Sequence, residues 1–157
     1  MLAAHFSIEA GKVTGVHFGQ GGQSGADGLY RELEERLLAY FSGHDVDFTD
    51  FELDWGRVGA FDARVLAVTR TIPWGQVRTY GWVARAIGQP RSTRAVGGAL
   101  ARNPFPIIVP CHRVIRSDGN IGGFGGGPEL KVRLLRLEGV GVIRRRGSYW
   151  IAEPWRP

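Results

Sequence analysis

The sequence predicts an α+β protein, with a small N-terminal sheet-plus-helix domain over residues 1–57 and a mainly helical domain over 58–157. The second domain is expected to carry a helix-turn-helix and an active-site loop. Two short runs of alternating apolar residues open the chain and give way to a single stretch with helical period. Helical segments broken by Pro73, Gly88 and Pro90 then dominate the middle. The only cysteine stands in Val109 to Gly127, VPCHRVIRSDGNIGGFGGG, between a proline and a histidine and ahead of a glycine-rich loop. At 157 residues the chain is long enough to bury a sizeable core.

Taken in order, Phe6 to Ile8 and Val13 to Phe18 flank Glu9 to Lys12 and read as a hairpin. Gly19 to Gly28 has loop composition. Leu29, Leu33, Leu37, Tyr40 and Phe41 share a helical face, with Ser24 or Asp27 as the cap and Gly43 at the end. Phe48, Phe51 and Leu53 suggest a further strand. Phe61, Val65, Val68 and Ile72 continue a helical face until Pro73 stops it. Thr79 is a good N-cap for a helix running to Gly88, and Ser92 for one from Thr93 to about Arg102. Two short helices joined by Gly-Gln-Pro-Arg fit a helix-turn-helix. Arg116 to Asn120 has turn composition and is expected to join two short strands. Pro128 suits the first position of a last helix with Leu130, Leu134, Leu135 and Leu137 on its apolar face and Gly139 at its end. Val142-Ile143 and Tyr149 to Ile151 are expected to pair around Arg146-Gly147, displaying Arg144 to Arg146.

Charge is unevenly distributed. Residues 1–69 hold 5 Lys/Arg against 11 Asp/Glu, residues 70–118 hold 8 against 1, and the remainder 7 against 3. The middle segment, with Tyr80 and Trp82 interleaved, reads as a polyanion-binding face or as a solvated basic one. One cysteine excludes an internal disulfide and a thiolate metal cluster, and His5, His17 and His44 lack ligand spacing. No metal or cofactor is expected. With no long apolar stretch and no signal-like N-terminus, a soluble cytoplasmic protein is expected, without membrane association.

A lone cysteine is either a small buried hydrophobe or a nucleophile. Pro110 pushes Val109 towards an extended conformation, so Ile107 to Val109 reads as a buried strand delivering Cys111. A thiol needs a nearby cation or base to reach the thiolate, and His112 and Arg113 follow at once. Side chains alternate on an extended segment, so linking Cys111 to His112 requires a backbone turn or a water. Gly97 and Gly98 inside a helix cost roughly 1 kcal/mol each relative to alanine. Either that helix packs tightly, or something outside approaches its backbone. Glu138 sits at a helix C-terminus, where the dipole disfavours a carboxylate, so a polar partner is expected.

Pro110-Cys111-His112-Arg113, with Asn103-Pro104 before it, the Gly122 to Gly127 loop after it and Arg94 to Ala99 upstream, resembles the active-site signature of the O6-alkylguanine-DNA alkyltransferases. The resemblance runs from about Phe61 to Gly139 and implies single-turnover repair, with Cys111 taking the alkyl group from O6 of guanine, or O4 of thymine, in double-stranded DNA. It implies that Glu138 orients His112, that His112 accepts the thiol proton through a water, and that Asn103 fixes the turn around Cys111. It puts the helix with Ser92, Thr93, Arg94, Ala95, Gly98 and Ala99 in the DNA minor groove. There Arg94 fills the space of an extruded nucleotide and Tyr80 helps to push it out. Main-chain groups near Cys111 and Val114 are then expected to read the base edge, with Leu100, Pro106, Phe124, Gly125 and Gly126 around the ring and alkyl group. A monomer is expected. Phe124-Gly125 departs from the tyrosine-serine pair of many members, removing a phenol from the pocket. An alkyltransferase-like sensor that flips damaged bases without transfer is the alternative, and Cys111 argues against it.

Overall fold

The computed structural model describes residues 2–22 and 25–152. Its first element is the antiparallel hairpin of β1 (Ala4–Glu9) and β2 (Lys12–Phe18). Helix α1 (Gly28–Phe41) follows, capped by Asp27, whose side chain accepts from the Tyr30 amide at 2.7 Å. The other candidate cap, Ser24, lies outside the described residues. Leu33, Leu37 and Tyr40 are buried, as the helical period requires.

The expected strand at Phe48 to Leu53 does not form. The segment turns instead, and only Leu53 makes a bridge, parallel to Val13. Its two aromatics are buried all the same, so their apolar spacing reflected burial without a strand period. Helix α2 (Ala60–Thr69) is shorter than its apolar face suggested, and Ile72 is buried from the turn that follows. Next come β3 (Arg78–Thr79) and α3 (Tyr80–Ala86), with the Thr79 hydroxyl capping the Trp82 amide at 3.0 Å. Gly88, at φ +75°, breaks the chain away from α3 towards α4 (Thr93–Ala101). Ser92 occupies the N-cap position of α4 without capping it, because its hydroxyl bonds Gln89 Oε1 at 3.1 Å. A two-pronged ion pair, Arg102 to Asp62 at 2.8 and 3.0 Å, ties the end of α4 to α2.

Ile107 to Val109 is a tight turn and not a strand. Ile107 takes φ +72° and the Val109 amide bonds back to Phe105 O at 2.8 Å. A β-branched residue in the left-handed region carries strain of order 1–3 kcal/mol, held in place here by burial of all three side chains. Cys111–Arg113 forms a 3-10 turn leading into β4 (Val114–Ile115). The turn at Arg116 to Asn120 does not make a hairpin of β4. That strand pairs in parallel with β3, while Asn120 bridges Trp150. Helix α5 (Pro128–Leu137) starts with its proline, and β5 (Val142–Arg145) pairs with β6 (Ser148–Ile151) as expected.

One apolar cluster draws on residues from Phe6 to Leu134, and a smaller one, containing Ile115, Ile121, Val132, Leu135 and Val142, lies under the last hairpin. The β2 strand bonds directly to the approach to the cysteine, Val16 N to Pro104 O at 2.9 Å. The N-terminal hairpin is thereby fixed to the active-site turn.

Candidate active site

The 3-10 turn sends three adjacent side chains to three environments. Cys111, 8% exposed, lines a cavity of about 750 Å³. Asn103 holds the approach, its Nδ2 donating to Val109 O at 3.0 Å and its Oδ1 accepting from the Phe105 amide at 2.9 Å. Burial pushes the Cys111 thiol up, opposed by the Asn103 hydrogen bond, the Lys131 charge and the local backbone amides.

His112 is fully buried and points away into a polar network. Its Nε2 lies 2.7 Å from Glu138 Oε1. Burial lowers the His112 pKa despite that carboxylate, so the ring is neutral at pH 7 and this contact is a hydrogen bond. An ionised carboxylate only accepts, so the proton sits on Nε2 and Nδ1 keeps its lone pair. Nδ1 is buried without a hydrogen-bond partner among the described residues.

Arg113 does not serve as the thiol's cation. It faces Glu138, with Nε 2.8 Å from Oε2 and Nη2 2.8 Å from Oε1, while its Nη1 donates to Ile72 O. Burial alone would raise Glu138, but His112 and Arg113 hold it down at about 2. These are the polar partners its place at the helix end required. Two further members of the site gave no local signal in the sequence. Tyr40, on α1, donates to Glu138 Oε1 at 2.7 Å. Lys131, on α5 and 1% exposed, donates to Val114 O at 2.7 Å and Gly123 O at 3.3 Å, joining the cysteine segment to the glycine loop. Burial brings its pKa down to about 8, against the pull of Cys111.

The cavity gathers Leu100, Pro106, Phe124, Gly125 and Gly126 with Cys111, Tyr80 and Asn103. Val114 is not among its walls. It is fully buried and its carbonyl is taken by Lys131. Val16, His17 and Phe18 of β2 line the cavity too, which the sequence did not indicate. Glycine suits position 122, since at φ +77° any side chain is strained and a Cβ would stand 2.8 Å from the Tyr80 hydroxyl, which would have to shift.

On α4, Thr93, Arg94 and Ala95 are exposed, Gly97 and Gly98 are partly exposed, and Ser92 is half-buried. Ala99 is fully buried and so faces the core, not a ligand. A Cβ at Gly97 would meet only Tyr80 Cε1 at 3.9 Å, and one at Gly98 only the end of Arg102, from 3.3 Å. Tight packing within the protein therefore does not account for the two glycines. Among the described residues no group of His, Cys, Asp and Glu forms a metal site, and no helix is long and apolar enough to cross a membrane.

Fold and site define a protein in which a shielded thiol and a neutral histidine lie beside the second helix of a helix-turn-helix. The chain belongs to the O6-methylguanine-DNA methyltransferase family, whose "6-O-methylguanine DNA methyltransferase, DNA binding domain" matches residues 60–140. The methylated-DNA–protein-cysteine methyltransferase of Methanothermobacter thermautotrophicus is 50% identical over 113 residues, 71% of this chain but 62% of the relative, so the match spans less than two thirds of that protein. Among solved structures, Mycobacterium tuberculosis OGT in complex with DNA aligns at TM-score 0.73 and 36% identity over 85% of both chains. The S. pombe protein Atl1, in complex with damaged DNA containing O6-carboxymethylguanine, aligns at TM-score 0.56 and 34% identity over 64% of this chain and 99% of its own.

Proposed function

We propose that this protein repairs DNA by moving the alkyl group of O6-alkylguanine irreversibly onto Cys111, once per molecule and without a cofactor. The observation that carries this reading is the protonation pattern beside the thiol. His112 is neutral, its Nε2 proton is committed to Glu138, and its bare Nδ1 belongs to the residue next to a cysteine that lines the cavity. His112 Nδ1 takes the thiol proton through a water, and the resulting imidazolium is stabilised by Glu138. The thiolate attacks the alkyl carbon in line with the C–O bond. A C–S bond forms, the C–O bond breaks with its electron pair going to the guanine, and the guanine gains a proton. The product is a thioether, which has no easy return to the thiol.

The reacting carbon is buried in duplex DNA, so the nucleotide must be extruded into the cavity. The exposed Thr93, Arg94 and Ala95, followed by Gly97 and Gly98, present a small-residue helix face suited to the minor groove, with Arg94 entering the stack and Tyr80 at the cavity wall. The protein acts as a monomer in the cytosol. Activity on O4-alkylthymine belongs to the same proposal, since the attack is on the same kind of carbon.

Intact mass after mixing with a duplex holding one O6-methylguanine tests the reading, with Cys111→Ser in parallel. A gain of one methylene per protein, mapped to Cys111 and absent in the variant, is expected. Tight binding with no gain in mass would instead identify a damage sensor.

A further inference from the structure

We propose that Tyr40, from the N-terminal half, is a positioning residue for transfer to Cys111: it fixes the Glu138 carboxylate against His112 Nε2 and so keeps His112 Nδ1 free to act as the base. The inference rests on the functional reading above.

Tyr40 is 72 residues from His112 and 98 from Glu138, and yet its hydroxyl lies 2.7 Å from Glu138 Oε1 and 3.2 Å from His112 Nε2. It is 1% exposed. Its ring is held edge-on by Trp74 at 5.5 Å, by Phe41 at 5.5 Å and by Phe48 at 6.2 Å, so the hydroxyl has little freedom to swing away. The ionised carboxylate accepts only, which fixes the direction: Tyr40 donates to Oε1. The same oxygen takes the His112 Nε2 proton and Arg113 Nη2 at 2.8 Å. The Gly75 amide reaches the other oxygen at 3.3 Å. Donors from three residues converging on Oε1, with Arg113 Nε also reaching it at 3.1 Å, leave the carboxylate one orientation in which all are satisfied, and that orientation holds the imidazole ring. A buried network of this kind fails as a unit when one member is lost.

The consequence is chemical as well as geometric. Each donor draws electron density from Glu138, so the carboxylate orients the Nε2 proton without removing it. The charged and titratable groups around His112 are Glu138 and Arg113 in direct contact with the network, with Tyr40 from α1 and Lys131 from α5. Tyr40 comes from α1, within the first 57 residues. The N-terminal half therefore supplies a working part of the site and not only a scaffold.

Tyr40→Phe keeps the ring and removes the hydroxyl. Single-turnover methyl transfer across pH 5 to 10 is expected to slow by about tenfold at neutral pH, with DNA affinity unchanged. The acid limb should move to higher pH, because a carboxylate with one donor fewer holds the imidazolium more strongly. In a Glu138→Gln background the same change should have much less effect. Superimposable pH profiles, a shift of the acid limb downwards, or a uniform loss matching a loss of folded protein would overturn the proposal. A second readout needs no substrate: nitrogen NMR of His112 should show the Nε2–H tautomer in the parent and an upward titration shift in Tyr40→Phe. That shift in a protein that transfers nothing would keep Tyr40 in place and overturn the repair reading instead. Identical histidine spectra would overturn Tyr40.

Discussion

Glu138→Gln is the perturbation whose size follows most directly from the site. The carboxylate is buried and held at about 2, against an ordinary glutamate value of 4.5, so about 2.5 pH units separate folded from unfolded protein. At 1.36 kcal/mol per unit this is about 3 kcal/mol of stability from ionised Glu138. The folded pKa is depressed, so the contribution is complete above pH 4.5 and is lost as pH falls from there towards 2. Glutamine does not titrate and leaves the buried Arg113 without a counter-charge, a loss of similar size. Urea unfolding of parent and variant should therefore differ by about 3 kcal/mol at pH 7, with the gap closing below pH 4.5. Loss of the carboxylate also lowers the His112 pKa further, so part of the gap persists where His112 titrates, and the Glu138 contribution is read from the fall in the gap below pH 4.5. Catalysis should suffer more than stability. A glutamine that turns its NH2 towards Nε2 needs a lone pair there, which moves the histidine proton to Nδ1 and abolishes the base. Single-turnover transfer should fall at least a hundredfold, roughly the size of a lost general-base contribution. A stability gap constant from pH 7 to 3, or a variant transferring within threefold of the parent, would refute the reasoning.

Three further outcomes are expected. Gly97→Ala should raise the melting temperature by roughly 2–4 °C, from about 1 kcal/mol of helix propensity, while weakening DNA binding; unchanged affinity in a filter-binding or anisotropy titration would remove the close-approach reading of this helix. Lys131→Met removes the cation that opposes the upward shift of Cys111, so transfer at pH 7.5 should slow by about tenfold and the alkaline limb of the rate profile should move up, both readable by quenched single turnovers. Phe124→Tyr restores a phenol to the cavity and should quicken methyl transfer by assisting the departing guanine; equal rates would show that the ring only stacks.

Where local chemistry decides structure, the sequence was legible. Asp27, Thr79 and Pro128 each mark a helix start that the structure keeps. Both hairpins follow from alternation around turn residues. Cys111 stood out as the lone cysteine beside a histidine, and a carboxylate at a helix C-terminus called for some polar partner, but Asn103 and the pairing of Glu138 with His112 were named only through the family resemblance. The parts that escaped depend on distance along the chain. Tyr40 looked like one more apolar position on α1, and Lys131 drew no reading at all, because only the fold brings α1 and α5 to the same turn. The burial of Phe48 and Phe51 mimicked a strand. Ile107 at positive φ gave no warning, since that conformation is imposed by packing and not by the residue.

The 3-10 turn at Cys111–Arg113 also limits how this site can vary. With three residues per turn, neighbouring side chains leave the axis about 120° apart, so position in the triplet decides direction. One residue inserted or deleted just before the turn would rotate the whole set by a third of a circle. After a deletion the imidazole would take the thiol's place at the cavity and the guanidinium the imidazole's place in the buried network; after an insertion the thiol would turn into that network. Substitution can tune such a site gradually, whereas a change of chain length there can only break it.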